Sequence, residues 1–487
     1  MSDQNCNPEK AGQWETFTSQ GKLNSDDASK KSQDIDPVPA SEDHEIDDDE
    51  ITPARPAQSD FPKLEATASN VLSKVASRLT TRSLPDPGPP TDGGVKAWTQ
   101  CAMAWLVVFN TWGYTNSFGT FQAYYTESLH QSPSTVSWVG SLQVWVLFFI
   151  GAFSGRALDA GYFLPAYIVG ITMQLLGIFM TSLATGYWQL LLSQGICTGI
   201  GSGIFFCPSM ALLSTYFSKH RGLAIAIATT GNSAGGLVYP LVVRELLPRI
   251  GFGWTIRVLG FMNLACLAVV LVFMRARLPP RKSDPLIEWA AFKEPEYILF
   301  IGGMCFLLAP LYFTYYYVAS YGRAALGMSY SDSIILLMIY NGVGIPARVA
   351  CGYIADRFLG VMNTFIPLLI VNAICAYSWI GVTNITGYYV FICFYGVTIA
   401  SWQSLFPTTV AALTRDIRKG GGRLGMVFSV TSVAALIGPP LGGGLISAEE
   451  GRYMGAQAWA GSSALIGVAL ITGARVYRFG TSLKKKC

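Results

Sequence analysis

The sequence has little charge and few histidines. Only 13% of its 487 residues are charged, about half of the roughly 25% that is usual in soluble proteins. The three histidines, His44, His130 and His220, lie outside the long apolar runs of the chain. This composition excludes an ordinary soluble globular protein. It also leaves the apolar runs without a histidine that could relay protons near neutral pH.

The sequence also lacks the motifs of phosphate-binding enzymes and of metal sites. It contains no Walker loop and no H-E-x-x-H helix. None of the ten cysteines forms a C-x-x-C pair, and most lie in apolar runs, which is typical of small core residues rather than of metal ligands or disulfides. We therefore expect no enzyme activity, no metal site and no cofactor, and any transport by this chain must be driven by gradients.

What the chain has instead is a series of long apolar runs. A helix needs about 20 apolar residues to cross the hydrocarbon core of a bilayer. The sequence therefore predicts an all-α membrane protein that crosses the lipid many times. Twelve runs of suitable length follow residue 91, and we call them spans 1 to 12: 99–121, 136–155, 162–183, 188–214, 222–246, 255–275, 298–320, 331–355, 362–382, 387–412, 424–446 and 456–476.

The basic residues predict how these spans are oriented. With the N-terminal tail inside, the inner loops and span ends carry 19 Lys and Arg residues, and the outer side carries five. Positive charge accumulates on the cytoplasmic side of membrane proteins, so both termini are predicted to be cytoplasmic. Because the bases stand singly between apolar runs, we expect no nucleic-acid binding. The sequon at Asn384 falls in a short outer loop and is a weak candidate for glycosylation.

The polar stretches divide the chain into domains. Residues 1–91 hold 17 acidic and 9 basic residues and few aromatics, which predicts a disordered, acidic cytoplasmic tail. Within this tail, apolar residues recur at helical spacing over 61–82. That segment is either an amphipathic helix on the membrane surface or a transient helix without a role. The spans form two halves, 92–275 and 298–480, with a cytoplasmic linker at 276–297 and a basic tail at 481–487.

The two halves carry the same marks in the same order. A Gly-x-x-x-Asp loop follows span 2 at Gly155–Asp159 and span 8 at Gly352–Asp356. Glycines recur with one spacing in span 5 (Gly231, Gly235 and Gly236) and in span 11 (Gly438, Gly442 and Gly443). These matches predict a duplicated six-helix unit. In transporters built this way, the substrate site lies near the membrane midplane between the halves.

The repeated loops and the duplicated six-helix unit resemble those of the major facilitator superfamily. "DGGVKAW" at 92–98 and "YFSKHRGLAIAIATTGNSAGG" at 216–236 are similar to its monocarboxylate porter branch, and the match over residues 75–480 includes fungal features. The resemblance implies a carrier whose two six-helix halves rock to expose a central site to each side in turn. Members of the branch carry lactate-like acids, riboflavin or, in fungi, the products of biosynthetic gene clusters.

Arg348 is predicted to bind the substrate. It lies inside span 8, where a guanidinium is costly unless it faces a wet cavity or a partner. Its planar fork grips anionic groups with two hydrogen bonds, and the resemblance aligns it with the substrate-linked arginine of the monocarboxylate carriers. We therefore expect a small-molecule substrate that is anionic or accepts hydrogen bonds. The alternative is that the side chain extends to the inner interface.

The chain departs from the carriers of small acids that it resembles. Those carriers place an Asp one turn before the arginine and a Lys in span 1, where this chain has Gly344 and Asn116. Proton coupling is therefore open, and would need a protonated substrate or Glu245 near an outer end. Polar and aromatic side chains are expected to line the cavity instead, although each could equally bond a neighbouring helix: Asn116, Gln143, Asn232, Tyr315, Asn341, Trp402 and Gln403.

Asp159 and Asp356 end spans 2 and 8 at the predicted inner face. Arg156 and Arg357 lie close to them in the sequence. Since the pattern occurs in both halves, we expect these four residues to form a gate that sets which side of the carrier is open. The alternative is that they are solvated loop charges.

These patterns predict a secondary active or facilitative transporter that works by alternating access. Its expected cargo is an organic acid or a fungal secondary metabolite, its expected location is the plasma membrane, and one form would be an exporter linked to a biosynthetic gene cluster. The alternatives are an importer of a monocarboxylate or riboflavin-like nutrient, and a carrier-like nutrient sensor that signals through its acidic tail.

Overall fold

The computed structural model describes residues 92–217, 221–277, 287–414 and 420–480. For residues 156–159, 221, 356, 420 and 421 it describes the backbone only. The predicted tail at 1–91 with its segment 61–82, the basic tail at 481–487 and the centre of the linker lie outside the described residues. The expectations about these segments therefore stay predictions.

The described residues are helical and contain no strand. Short α-, π- or 3-10 turns extend several of the helices: Phe109–Gly113 and Tyr114–Asn116 after α1, Tyr187–Leu190 and Leu191–Cys197 before α5, Ala291–Lys293 before α7, Ala355–Leu359 after α9 and Trp379–Gly381 after α10. The main helices are α1 Gly94–Val108, α2 Phe118–Ser128, α3 Pro133–Asp159, α4 Phe163–Thr181, α5 Thr198–Tyr216, α6 Arg221–Phe273, α7 Pro295–Ala324, α8 Tyr330–Gly342, α9 Gly344–Ile354, α10 Val361–Ser378, α11 Ile385–Leu413, α12 Gly420–Ala448 and α13 Met454–Phe479.

Ten helical segments of the described chain are long and apolar enough to cross a membrane. The prediction of an all-helical, multi-pass membrane protein is therefore confirmed. The longest segment, Gly222–Phe273, contains Gly251 at φ 74° and ψ 172°, where two helices meet at a kink. Only glycine adopts this conformation without steric cost, and predicted spans 5 and 6 lie on either side of it. The ten segments do not by themselves establish the predicted count of twelve.

The helices form two groups, α1 to α6 before the linker and α7 to α13 after it. Packing of α2 against α7 joins the groups, and so do two larger seams. In one, α3 packs against α12, and the ring centroids of Phe148 and Phe428 are 4.8 Å apart. In the other, α6 packs against α8 and α9. A central site would lie between these seams.

The same glycine contact occurs in both groups. Gly235 of α6 lies so close to the carbonyl oxygen of Phe109 that an added Cβ would be 2.5 Å from it. In the second group, Gly438 of α12 lies in the same way against the carbonyl oxygen of Ala309 on α7, and Gly442 lies against the ring of Phe313. Small residues permit this close approach of helices in a membrane. The repeated glycines of spans 5 and 11 therefore serve matching helix packings.

Polar side chains tie the two groups together at the end of the helices away from the linker. Glu127 of α2 forms a 3.1 Å ion pair with Arg323 of α7. The Arg244 Nε of α6 donates a 2.7 Å hydrogen bond to the Ser331 hydroxyl of α8. These contacts hold the groups against each other at the end that is predicted to face outward.

The described end of the linker is held against the start of α12. Arg423 is 4% exposed and forms ion pairs with Glu288 at 3.1 Å and with Glu294 at 2.7 Å. Its guanidinium lies 5.6 Å from the ring of Tyr297. From the sequence, Arg423 is one of the 19 basic residues of the predicted inner side, and the structure shows that it also joins the linker to the helix that packs on α3.

Candidate functional site

Arg348 lies in α9, soon after the break that separates α9 from α8. Val343 stands between the two helices, and Pro346, in the first turn of α9, has no N–H to bond back to α8. From this position the Arg348 side chain contacts α6 and α11. Its side chain is buried, with 2% of its surface exposed. In this structure it does not extend to the inner interface, which was the alternative interpretation of the sequence.

Two neutral side chains hold the guanidinium of Arg348. Its Nε donates a 3.1 Å hydrogen bond to the Ser233 hydroxyl of α6. Its Nη2 donates a 2.8 Å hydrogen bond to the Gln403 Oε1 of α11. Ser233 belongs to the first group of helices, whereas Arg348 and Gln403 belong to the second. The guanidinium therefore bridges the two groups.

No carboxylate of the described chain pairs with Arg348. Its electrostatic neighbours are the hydroxyl groups of Tyr315 and Tyr340. A guanidinium keeps its proton at any physiological pH, so the site carries a positive charge that none of the described residues neutralises. A buried charge without a counter-charge is costly, and an anionic ligand would offset that cost.

Tyr315 and Tyr340 form the aromatic side of the site. Their ring centroids lie 4.7 Å apart with the planes nearly perpendicular, and Tyr315 reaches the Gln403 amide. The Tyr340 hydroxyl is buried and has no hydrogen-bond partner among the described residues. Buried polar groups are normally satisfied, so this hydroxyl is suited to bond a ligand that reaches it.

Three further predicted residues bond to neighbouring helices. The Asn116 amide donates a 2.5 Å hydrogen bond to Asn232 Oδ1, next to Ser233 on α6. The Gln143 amide donates to the Thr115 hydroxyl at 3.2 Å. This is the helix–helix role that the sequence left open for them. The Gln143 Oε1 is nevertheless buried without a partner in the described part of the chain.

Asn341 and Trp402 were also predicted to line the cavity, and neither bonds to Arg348 in the structure. Asn341 donates a 2.9 Å hydrogen bond to the Leu337 carbonyl of its own helix, and its side chain packs on Gly236. Trp402 is fully buried and meets the edge of Phe365 on α10, with ring centroids 6.4 Å apart. Helix rotation, which the sequence does not reveal, decides these directions.

The structure thus brings together three of the predicted binding residues, Arg348, Tyr315 and Gln403, and adds Ser233 and Tyr340. Sequence reasoning missed both additions. Ser233 lies inside the glycine cluster of span 5, which was interpreted from the sequence only as a sign of the repeat. A hydroxyl between closely packed glycines was the signal that could have identified it. Tyr340 directly precedes a predicted residue and gave no separate signal.

The predicted gate remains a prediction. The side chains of Asp159, Asp356 and Arg156 lie outside the described part of the chain, and Arg357 is exposed in the π turn after α9. The sequon residue Asn384 has a structural role, because its Oδ1 accepts a 2.6 Å hydrogen bond from the N–H of Gly387 and caps the start of α11. Its glycosylation stays a prediction.

Comparison with known proteins finds a matching family and several similar transporters. Residues 103–421 match the Major Facilitator Superfamily. An MFS-type transporter of Gibberella zeae is 46% identical over 393 residues, which cover 80% of this chain and 89% of the relative. The Aspyridones efflux protein apdF of Emericella nidulans is 32% identical, over 84% of this chain and 83% of its own. The Fujikurins efflux protein of Gibberella fujikuroi is 34% identical, over 80% and 84%.

Proposed function

This chain belongs to the Major Facilitator Superfamily of transporters, and from that premise we propose that it exports a fungal secondary metabolite across the plasma membrane by alternating access. It is a multi-pass membrane protein that moves a small molecule and is not an enzyme. The names of two relatives support the exporter interpretation, because they describe efflux of aspyridones and of fujikurins. The cargo of this chain need not be either compound.

The proposed cargo carries an anionic or strongly accepting group, which binds at Arg348. The single observation that carries this proposal is a buried guanidinium between the two helix groups, held by Ser233 and Gln403 and by no carboxylate of the described chain. The two hydrogen bonds offset part of the free-energy cost of removing this charge from water, and a bound counter-charge would offset more of it. Tyr315 and Tyr340 supply ring surface beside it, which suits a cargo with an unsaturated or aromatic body.

The proposed topology has twelve spans with both termini in the cytoplasm, as in the monocarboxylate porter branch. At 1.5 Å per residue, the 52 residues of Gly222–Phe273 exceed twice the thickness of a bilayer core, which supports two spans that meet at Gly251. Helix α1 and its continuation to Ser128 supply the remaining span. Glycine-mediated packing of α6 on α1 and of α12 on α7 is consistent with two repeated halves.

A proton coupled to this transport would not reside on the Arg348 site. Arginine, tyrosine, serine and glutamine do not titrate near neutral pH. The proton would travel with the cargo, or on Glu245 near the predicted outer end, which is paired with Arg249 at 3.3 Å. We therefore propose that the cargo binds as its anion and that its own ionisation sets any dependence of binding on pH.

The proposal is tested by profiling metabolites in the cells and the medium of strains with and without this protein. We expect a compound to accumulate in cells that lack it, and Arg348→Ala to reproduce that accumulation at normal surface abundance. Arg475→Ala is the matched control, because Arg475 is 3% exposed and bonds Asn363 within the second group instead. A compound left unconsumed in the medium would contradict export. Unchanged export by Arg348→Ala would contradict the role of the arginine.

A further inference from the structure

The hydrogen bonds of Arg348 use only part of its donor capacity. A guanidinium has five N–H groups in one plane. Ser233 takes the Nε hydrogen and Gln403 takes one Nη2 hydrogen. Both Nη1 hydrogens and the second Nη2 hydrogen have no protein partner among the described residues. The described residues therefore hold the guanidinium at Nε and at one N–H of Nη2. They leave its end, which consists of Nη1 and the other N–H of Nη2, for another molecule.

The position one turn before Arg348 is closed to any side chain. A Cβ at Gly344 would lie 2.9 Å from the Ser233 hydroxyl and 2.8 Å from the Cβ of Ala400. Contacts this short force a neighbour to move. Ser233, which comes from the other group of helices, thus occupies the space into which a residue at 344 would grow. The group that fills this space is therefore a neutral hydroxyl, whereas an acidic side chain at position 344 would cancel the charge of Arg348.

We propose that Ser233 and Gln403 are positioning residues that aim the end of the Arg348 guanidinium at a planar anion with two oxygens, such as a carboxylate or an enolised dicarbonyl. Two parallel N–H groups bind two such oxygens at once, which a point charge does not do. The neutral partners restrain the side chain and leave its charge uncancelled. Gly344 is required because it leaves room for the Ser233 hydroxyl. This inference rests on the proposed role of Arg348 in binding cargo.

The test uses the purified full chain and two probes of one shape, benzoate and the uncharged benzamide, at constant ionic strength. Binding is measured by the shift in thermal unfolding temperature as each probe is titrated. We expect benzoate to stabilise the wild-type chain more than benzamide does. Ser233→Ala and Gln403→Ala should each weaken the apparent benzoate affinity about tenfold, the order of effect of one charge-assisted hydrogen bond.

Ser432→Ala is the matched control for Ser233→Ala. Ser432 is equally buried, but its hydroxyl donates to the Ser429 carbonyl of its own helix at 2.7 Å. It should bind benzoate as the wild type does. If Ser233→Ala and Ser432→Ala behave alike while Arg348→Ala has lost benzoate binding, the positioning role is wrong and the proposed function stands. If Arg348→Ala still binds benzoate, the proposed cargo site itself is wrong.

Position 344 provides a second, independent test. Gly344→Ala should weaken benzoate binding in the wild-type background, because its Cβ displaces the Ser233 hydroxyl. In the Ser233→Ala background, Gly344→Ala should weaken benzoate binding less, since one of the two close contacts of the new Cβ is gone. Equal effects in both backgrounds would contradict the proposal. So would a wild-type chain that responds no more to benzoate than to benzamide.

Discussion

The ion pairs of Arg423 are expected to stabilise the folded protein more than the other ion pairs among the described residues do. Its guanidinium donates four hydrogen bonds of 2.7–3.2 Å, two to Glu288 and two to Glu294. The arginine is 4% exposed, and the glutamates are 15% and 21% exposed. Arg423→Ala would remove four charge-assisted hydrogen bonds from these two carboxylates at once.

The size of the effect follows from burial and geometry. Removing one partner of a buried ion pair costs about 3–5 kcal/mol. Because water still reaches both glutamates, we expect Arg423→Ala to cost about 3 kcal/mol of unfolding free energy. Glu288→Gln or Glu294→Gln keeps an acceptor and one intact pair, so each should cost about 1–2 kcal/mol. Arg423→Lys keeps the charge but loses the bidentate fork, and should fall between these values.

Thermal unfolding of the purified protein at low and high salt is the assay. Arg323→Ala is the control, because its ion pair with Glu127 is 31% and 68% exposed, and exposed pairs contribute at most about 1 kcal/mol. Salt should reduce the effect of Arg323→Ala and leave that of Arg423→Ala largely unchanged. If the two variants unfolded at the same temperature, or salt affected them equally, the reasoning from burial would be refuted.

Three further outcomes are expected. Glu127→Arg should impair transport, and the charge swap that adds Arg323→Glu should restore it; failure of the swap to restore transport would show that the two residues do not act as a pair. Gly442→Ala should lower the unfolding free energy by about 1–3 kcal/mol through overpacking against α7. Gly444→Ala is the control, because its Cβ would meet nothing within 4 Å, and it should leave stability unchanged. Equal unfolding temperatures of the two variants would contradict this. The pH profile of benzoate binding should be almost flat between about pH 5 and 8, because benzoate is mostly ionised throughout this range and no group described around Arg348 titrates there; a transition within this range, as a protein histidine would produce, would contradict this.

Much of the helical architecture could be predicted because its signals are local in the sequence. Apolar runs of about 20 residues identify membrane helices without any knowledge of their neighbours. The repeated glycines of spans 5 and 11 are likewise visible in the sequence, and Gly235 and Gly442 lie at close helix contacts. The π turn Phe109–Gly113 gave no such signal, although Pro346 marks the break at Val343 in the sequence. Breaks of this kind depend on how each helix packs against its neighbours.

The candidate site could be predicted only at its centre. Arg348 was predicted because a charge inside an apolar run is visible in a single segment. Its partner Ser233 is 115 residues away in the sequence, and Arg423 is separated from Glu288 by 135 residues. Tertiary packing brings such pairs together, so no local pattern reveals them. Trp402 shows the same limit. Its ring nitrogen made it a candidate for lining the cavity, but the rotation of α11 places its ring against Phe365 of α10.

Three of the side-chain contacts described between the two helix groups fall at two levels. Glu127–Arg323 and Arg244–Ser331 lie at the end away from the linker, and Arg348–Ser233 lies deeper, at the site. Any movement that opens the far end by rotating one group must break the first set. Because α6 carries both Arg244 and Ser233, the same movement shifts Ser233 relative to Arg348. Under the proposed function, Ser233 would then no longer orient the Arg348 guanidinium toward a bound anion, which favours release of the cargo at the far end.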